Sequence, residues 1–351
     1  MKIFSSKSQS IVGIDIGTSA VKCAEVTGSA KNARLTSWGI NPHSAGAVAE
    51  NTIANEEAVA DALSQALLSS GAKSDNAAVS ISASHAITKI ITMPIDMKES
   101  EIEDQIQIEA LHFVPYPIDE VNIDFHVLGP SVVNPEQESD VLFAACRSEI
   151  VDSYTGVIEE VGLTPMAVDI DTFALERLYR FLNPFPHGKK SEVTALFDIG
   201  VANTQLIVFD EEKMLYTRQQ NFGGKQLVQL IRREYGVNNE EAEALVVSDS
   251  PPDDMYGTIY VPFYKMAGQE LSRALQFFYS SSSHSMVHNV AITGGCSALP
   301  EFSEHVGKYF EARHRVLNPM DKMTTFGDKN ELSKSIGSLS VAIGLALRGL
   351  K

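Results

Sequence analysis

One short pattern occurs twice in the 351-residue chain and limits what it can fold into. An apolar run ends in Asp15-Ile16-Gly17, and a second apolar run ends in Asp198-Ile199-Gly200. Each copy is followed by another run typical of a β-strand, so each predicts a strand, a tight turn and a second strand. Two copies of the same unit predict two lobes of related α/β fold.

The first turn has the residue types that bind phosphate and a metal ion. Glycine lets backbone N–H groups approach an anion, because no Cβ blocks the approach. Thr18 and Ser19 add hydroxyl donors, and Lys22 on the next strand can return toward the same phosphates. Asp15, at the end of its strand, can bind Mg²⁺ directly or through water. The first turn therefore predicts one half of a metal-polyphosphate site.

The second turn repeats this chemistry from the other lobe. The residues that it offers are Asp198, Gly200, Asn203 and Thr204. For either turn alone, a β-hairpin whose aspartate merely caps the bend also explains the pattern. A third segment favours the binding interpretation: the apolar run Val287–Thr293 leads straight into Gly294-Gly295-Cys296-Ser297. A strand followed by paired glycines suits close backbone approach to a nucleoside.

Composition excludes several other classes of function. The formal net charge of −17 argues against general nucleic-acid binding and against direct binding to anionic membranes. The three cysteines, Cys23, Cys146 and Cys296, lie far apart and predict neither a zinc site nor a disulfide framework. Met1–Ser10 is polar and lacks the apolar run of a signal peptide. These features predict a cytoplasmic protein.

Local signals predict the main breaks in the chain. Asp96 with Glu99 reads as a capping box for a helix ending near Phe113, and Ser148 reads as the cap of another helix. The segment 183–191, with two prolines and a glycine, is the best candidate for a domain boundary. Ser335–Leu350 has apolar residues at near-helical spacing, and we expect it to be a core helix rather than a membrane anchor.

Three segments resemble the motifs of the actin, sugar-kinase and heat-shock-chaperone superfamily. Val12–Lys22 resembles its first phosphate motif, Phe197–Thr204 its second, and Ile292–Pro300 its adenosine motif. Within that superfamily the chain resembles the PilM family of type IV pilus assembly, which is related to the cell-division protein FtsA. The further segments that carry this likeness are Asp140–Arg147, Gly162–Pro165 before Val168–Asp171, Tyr216–Arg218, Phe222–Leu227 and Glu240–Glu243.

This resemblance implies an α/β fold with two RNase-H-like, actin-type lobes around a nucleotide cleft and an FtsA-like α/β subdomain inserted in the first lobe. The implied division assigns residues 1–85, 167–190 and 333–351 to the first lobe. It assigns 86–166 to the inserted subdomain, and 191–332 to the second lobe, with 222–250 as its small upper subdomain. Residues 86–166 could also be extra core, but a separate block of strands and helices favours a docking surface.

The resemblance also implies ATP or ADP with Mg²⁺ as the cofactors. The residues that it places at the metal are Asp15 and Asp198. Those that it places at the phosphates are Gly17, Thr18, Ser19, Lys22, Gly200 and Asn203. Those that it places around the adenosine are Gly294, Gly295 and Ser297, with Lys225 and Glu243 closing over base and ribose. Where family members often have a lysine after that glutamate, this chain has Ala244–Val247, which weakens the expectation for Glu243.

The implied function is an ATP-binding scaffold of the type IV pilus inner-membrane complex. Its expected partner is the cytoplasmic N-terminal segment of PilN, bound between the first lobe and the inserted subdomain, so that membrane contact is indirect. Pilus motor ATPases are further candidate partners. A filament-forming division or cytoskeletal protein and a small-molecule kinase remain alternatives. We expect slow or negligible ATP turnover, because Asp198, Asp171 and Glu176 are weak candidates for activating water.

Overall fold

The computed structural model describes residues 10–185, 192–211, 213–248, 250–326 and 329–350. Residues 1–9 and 186–191 lie outside these ranges. Two predictions fall on them: that Met1–Ser10 is not a signal peptide, and most of the domain boundary at 183–191. The elements in the first part of the chain are β1 Val12–Ile16, β2 Ala20–Thr27, β3 Arg34–Pro42, β4 Val48–Ala49, β5 Thr52–Ile53, α1 Glu56–Ser70, β6 Asn76–Ile81, β7 Ala86–Pro94, α2 Glu99–Phe113, β8 Val121–Pro130, β9 Glu138–Arg147, α3 Ser148–Glu160, β10 Thr164–Ile170 and α4 Asp171–Leu182.

The second part of the chain repeats the strand pattern of the first. Its elements are β11 Val193–Ile199, β12 Thr204–Asp210, β13 Lys213–Gln220, α5 Gly224–Tyr235, α6 Asn239–Val246, α7 Val261–Ser281, β14 Asn289–Thr293, α8 Phe302–Gly307, β15 Arg313–Val316, β16 Thr324–Thr325, α9 Lys329–Ser335 and α10 Ser340–Ala346.

The two large sheets share a five-strand topology, to which the first sheet adds β16 as an edge strand. The first has the order β10-β6-β1-β2-β3-β16, and the second has the order β13-β12-β11-β14-β15. In each, three consecutive strands pair antiparallel, and two later strands continue the sheet parallel to the first of them. This is the RNase-H-like arrangement, so the expected pair of actin-type lobes is confirmed.

Two helices, α4 and α10, lie between the sheets and form a shared core with the inner face of each. Leu175 and Leu178 of α4 pack there with Ile343 of α10 and with Ile207 of the second sheet. The helices cross so closely that a Cβ on Gly344 would overlap the carbonyl oxygen of Ala174. Every residue of α10 is buried, because apolar neighbours surround it.

The expectation of a core element at the C-terminus is therefore confirmed, although the helix is shorter than its apolar pattern suggests. The outer faces of the two sheets are covered separately. Helices α1 and α3 cover the first sheet, whereas α5, α7 and α8 cover the second. In the described part of the chain, no helix combines the length and apolarity that crossing a bilayer requires.

A third sheet, with the order β7-β9-β8, is inserted between β6 and α3. Helix α2 covers one face of it through Ile102, Ile106 and Ala110, which pack against Val141 and Phe143. Helix α3 packs on the first large sheet, and strand β10 is an edge strand of that sheet. The inserted sheet thus spans residues 86–147, and residues 148–166 of the predicted subdomain contact the first lobe. The division of the chain into domains stays a prediction.

Two local predictions were wrong. Helix α2 begins at Glu99, so the reciprocal contact is between the Lys98 N–H and the Glu101 carboxylate, 2.8 Å apart, rather than between Asp96 and Glu99. Ser148 is already the first residue of α3, and Arg147 precedes it without a side-chain cap. In both cases the strand or turn before the helix fixes where the chain enters it.

Candidate functional site

The two repeated aspartates occupy equivalent positions in their lobes. Asp15 lies opposite Lys22 in the β1–β2 pair, and Asp198 lies opposite Gln205 in the β11–β12 pair. Lys22 Nζ is 2.9 Å from Asp15 Oδ2, and both side chains are largely buried. The carboxyl ends of β1 and β11 therefore present matching aspartates. Lys22 forms an ion pair with the first, and Gln205 takes the equivalent strand position opposite the second.

Asp15, Asp171 and Asp198 are close enough to influence one another's charge. Desolvation, opposed by hydrogen bonds and reinforced by the charge of Asp15, raises the pKa of Asp171 to about 7. Desolvation raises the pKa of Asp198 to about 7 as well, with repulsion from Asp15 and Asp171 partly offset by Lys22. A bound cation would relieve the electrostatic repulsion among these three carboxyl groups.

Asp171 joins this cluster from the start of α4. Its Oδ1 accepts hydrogen bonds from the backbone N–H groups of Thr172 at 2.6 Å and Ala83 at 3.1 Å. These bonds fix the carboxyl group at the edge of the first sheet, facing the two aspartate turns. Asp171, which the sequence offers as a candidate for activating water, therefore lies within electrostatic range of Asp15 and Asp198.

The cluster fits a metal ion that is shared with phosphate oxygens. Within the described ranges, no three His, Cys, Asp or Glu side chains converge closely enough to hold a metal on their own. Mg²⁺ usually takes one or two carboxylates and completes its coordination with phosphates and water. Asp15 and Asp198 match that use, whereas a metal site made of protein ligands alone would need a tighter cluster.

Gly294 brings the end of β14 against the second aspartate turn. Its φ is +88°, a left-handed conformation that favours glycine. A Cβ there would lie 2.5 Å from Asp198 Oδ1, so the close approach also requires glycine. Ser297 donates to the Gly294 carbonyl at 2.7 Å, and Gly295 begins the short 3₁₀ turn between them. The predicted adenosine motif is therefore packed directly beside Asp198.

The remaining residues of the two turns lie beside the aspartates. We call the space between the two turns the cleft. The Gly17 carbonyl oxygen is hydrogen-bonded to His43 Nε2 at 2.8 Å. Thr18 and Ser19 follow Gly17 in the turn, and Ser19 is exposed. Across the cleft, the Gly200 carbonyl accepts the N–H of Gly224 at 2.9 Å. The start of α5 thus supports the second turn.

Lys225 and Glu243 lie farther along the second lobe. The Lys225 N–H donates to the Val201 carbonyl at 2.8 Å, while its side chain is exposed. Glu243 is exposed on α6 and accepts from Asn239 at 2.6 Å. Among the described residues, no hydrogen bond or ion pair joins Glu243 to another predicted site residue. The structure therefore does not bring Glu243 into the cluster.

Asn203 reaches across the cleft to the first lobe. Its Nδ2 donates to Asn51 Oδ1 at 2.9 Å, although the two residues are 152 positions apart. Asn51 lies in the turn of the β4–β5 hairpin and was not among the predicted residues. No motif marks Asn51 in the sequence, because its role depends on how the lobes meet.

A groove of about 670 Å³ lies between the first lobe and the inserted sheet. Its first-lobe side includes Thr52, Ile53, Ile150 and Tyr154, and its inserted side includes Ala86, Ile87, Pro115, Tyr116 and Arg147. Glu50, Glu56 and Glu149 add negative charge around this lining. The Arg147 guanidinium lies 5.2 Å from the Tyr116 ring centroid and pairs with Glu149 at 2.8 Å. The groove therefore combines an apolar wall with an acidic margin.

Comparison with known proteins identifies the family. A family model described as type IV pilus assembly protein PilM matches residues 13–350. The chain belongs to the PilM family. The solved structure of a PilM-PilN type IV pilus biogenesis complex is similar to it, with a TM-score of 0.79 and 27% identity over 97% of this chain and 99% of that one.

More distant structures share the fold of this PilM-family chain. The ethanolamine utilization protein EutJ from Carboxydothermus hydrogenoformans has a TM-score of 0.59 and 14% identity, over 96% of this chain and 89% of its own. A diol dehydratase-reactivating factor in nucleotide-free form has a TM-score of 0.52 and 10% identity, over 97% and 99%. Membership of the PilM family favours the pilus-assembly interpretation over a division protein or a kinase.

Proposed function

We propose that this PilM-family protein is a Mg²⁺-ATP-binding scaffold of the type IV pilus inner-membrane complex. The observation that carries the nucleotide part is the pair of equivalent aspartate turns that face each other across the cleft. Asp15 and Asp198 would hold the metal ion, and Lys22 would neutralise phosphate charge. Bound Mg²⁺ would supply charge compensation for the phosphates and for the three repelling carboxyl groups.

The rest of the predicted set divides between phosphates and adenosine. Thr18 and Ser19 would donate to phosphates from the first lobe, and Asn203 from the second. Gly17 and Gly200, whose N–H groups bond the Ala20 and Asn203 carbonyls, would let the phosphates approach the two turns closely. Gly294, Gly295, Ser297 and Lys225 would surround the adenosine, with a smaller role for the exposed Glu243. ADP would use the same contacts except those to the terminal phosphate. We expect turnover to be slow, with Asp198 the candidate for orienting water.

The partner would be the cytoplasmic N-terminal segment of PilN, bound in the groove between the first lobe and the inserted sheet. The similar PilM-PilN complex supports this choice of partner. The groove itself offers Ile53, Ile87 and Tyr116 for apolar side chains of a peptide and an acidic margin for its cations. Binding there would place the protein in the cytoplasm, at the inner membrane through its partner. Pilus motor ATPases are a further partner class within the same complex.

A titration with a synthetic peptide of the cognate PilN N-terminal segment tests the partner proposal. Tyr116→Ala removes an aromatic wall of the groove, and we expect it to weaken peptide binding at least tenfold. Tyr309→Ala is the matched control, since Tyr309 is similarly exposed, at 38% against 42% for Tyr116, but lies on the second lobe. Equal peptide affinity in both variants would contradict the assignment of the groove.

A further inference from the structure

The β4–β5 hairpin contacts both the nucleotide cleft and the groove. Val48–Ala49 pairs with Thr52–Ile53, and Glu50 and Asn51 form the turn between them. Both turn residues have left-handed φ angles, +50° and +62°, as a two-residue hairpin turn of this type requires. Ala47 and Val48 are buried in the first-lobe core, so the hairpin is anchored at its base.

The tip of the hairpin is bound on the cleft side. Asn51 Oδ1 accepts the bond from Asn203 Nδ2, and Asn203 belongs to the second aspartate turn, where its carbonyl accepts the Gly200 N–H at 2.9 Å. A change in the position of this turn relative to the first lobe therefore acts on Asn51. The bond is partly buried, which protects it from competition by water.

The same tip is bound on the groove side. The Asn51 carbonyl accepts from the Tyr154 hydroxyl at 3.2 Å, and Asn51 Nδ2 donates to Ser84 Oγ at 3.2 Å. His85 Nε2 contacts the Glu50 carbonyl at 2.9 Å. Tyr154, Ser84, His85 and Glu50 all line the groove. Movement of the hairpin tip would consequently reshape one wall of the groove.

We propose that this hairpin is a latch between the two sites, in which Asn51 positions Asn203 and thereby couples nucleotide binding to peptide binding. The inference rests on the proposed function, because it needs a nucleotide in the cleft and a partner segment in the groove. A nucleotide that bridges the lobes favours the arrangement in which Asn51 and Asn203 meet. A peptide that fits the groove wall held by this hairpin favours the same arrangement, so each ligand tightens the other.

The test measures the dissociation constant of Mg²⁺-ATP with and without saturating PilN peptide, using the full chain. In the wild type we expect the peptide to tighten ATP binding by about fivefold or more. Asn51→Gly keeps the left-handed turn but removes the amide, so both ligands should still bind while the coupling factor falls to near one. Glu211→Gly is the matched control, because Glu211 is an exposed residue with a left-handed φ of +54° in the turn after β12, outside both sites, and it should retain the coupling.

A conservative variant separates the bond from the shape of the turn. Asn51→Asp keeps an oxygen that accepts from Asn203 and tolerates the left-handed backbone, so it should restore most of the coupling. Coupling that survives in Asn51→Gly, or wild-type protein that binds both ligands without mutual tightening, would overturn the latch and leave the proposed function intact. Wild-type protein that binds neither ligand would instead refute the proposed function.

Discussion

Lys22 lies directly opposite Asp15 across the β1–β2 pair, whereas Gln205 takes that position opposite Asp198. The two lobes repeat one backbone plan but bring different chemistry to the cleft. The first lobe has a lysine at this position, and the second has a buried neutral glutamine. This difference predicts that the first lobe dominates the electrostatic recognition of phosphates.

Replacement of Lys22 tests that prediction. Lys22→Met keeps the apolar stem and removes the ammonium, so we expect Mg²⁺-ATP to bind at least tenfold more weakly, a loss of about 1.4 kcal/mol or more. Lys265→Met, on the exposed side of α7, should leave the affinity unchanged. Isothermal titration of both variants measures the difference, and equal affinities would show that Lys22 does not contact the phosphates.

The raised pKa of Asp198 predicts a pH-dependent stability. The pKa of Asp198 in the folded protein, about 7, exceeds the ordinary value near 4. The protonated carboxyl group therefore contributes folding stability that is fully present below about pH 4 and is lost as the pH rises through about 7. Asp198→Asn resembles the neutral acid at every pH. The variant should therefore gain stability over wild type between pH 5 and pH 8, by about 1–3 kcal/mol in metal-free buffer.

Urea unfolding at pH 5 and pH 8 measures this gain. Asp61→Asn, on the exposed face of α1, is the control and should show no such trend. A stability difference between Asp198→Asn and wild type that stays constant across this range would contradict the raised pKa.

Gly294 and Gly236 form a matched pair for testing the close approach to Asp198. Both have a left-handed φ, +88° and +68°, but a Cβ at Gly236 would meet open space. Gly236→Ala should cost about 1 kcal/mol of unfolding free energy from backbone strain alone. Gly294→Ala should cost about 2 kcal/mol more, because the added carbon collides with Asp198 and Ile199. Similar losses in both variants would show that the packing at Gly294 is loose.

Asp169 ties the C-terminal segment to the first lobe. Its buried carboxylate pairs with Arg177 at 3.0 Å and Arg348 at 2.8 Å. Asp169→Ala leaves two guanidinium groups without this partner, and we expect a loss of about 2–4 kcal/mol and faster proteolysis after α4 and near α10. Asp75→Ala, outside this network, is the control for limited proteolysis and urea unfolding. If Asp169→Ala resists proteolysis and urea as well as wild type does, apolar packing alone holds the C-terminal segment in place.

The repeated aspartate turns and the two-lobe fold could be predicted because both depend on local sequence patterns. Buried strands that end in Asp-Ile-Gly specify where each sheet begins, and the repeat implies the second lobe. The same repeat also contained a signal for Gln205, which follows Asp198 by the spacing that separates Lys22 from Asp15. The equivalence of Gln205 with Lys22 is therefore visible in the sequence.

Other parts of the site depend on tertiary packing, which local patterns do not record. Asn51 becomes important only where the hairpin meets Asn203 of the other lobe. Asp171 acquires its raised pKa from burial and from neighbours distant in sequence. The start of α2 was misplaced because Asp96 and Glu99 fit the capping pattern, whereas the turn after β7 directs the chain into the helix at Glu99.

Titration of Mg²⁺-ATP against wild type, Asp15→Ala and Asp198→Ala tests the central claim most directly. If the two aspartate turns hold the metal and triphosphate together, wild type should bind and each variant should lose binding while keeping its folded far-UV circular dichroism spectrum. Wild-type affinity in both variants would contradict the account, because the cleft between the turns would then not be the nucleotide site.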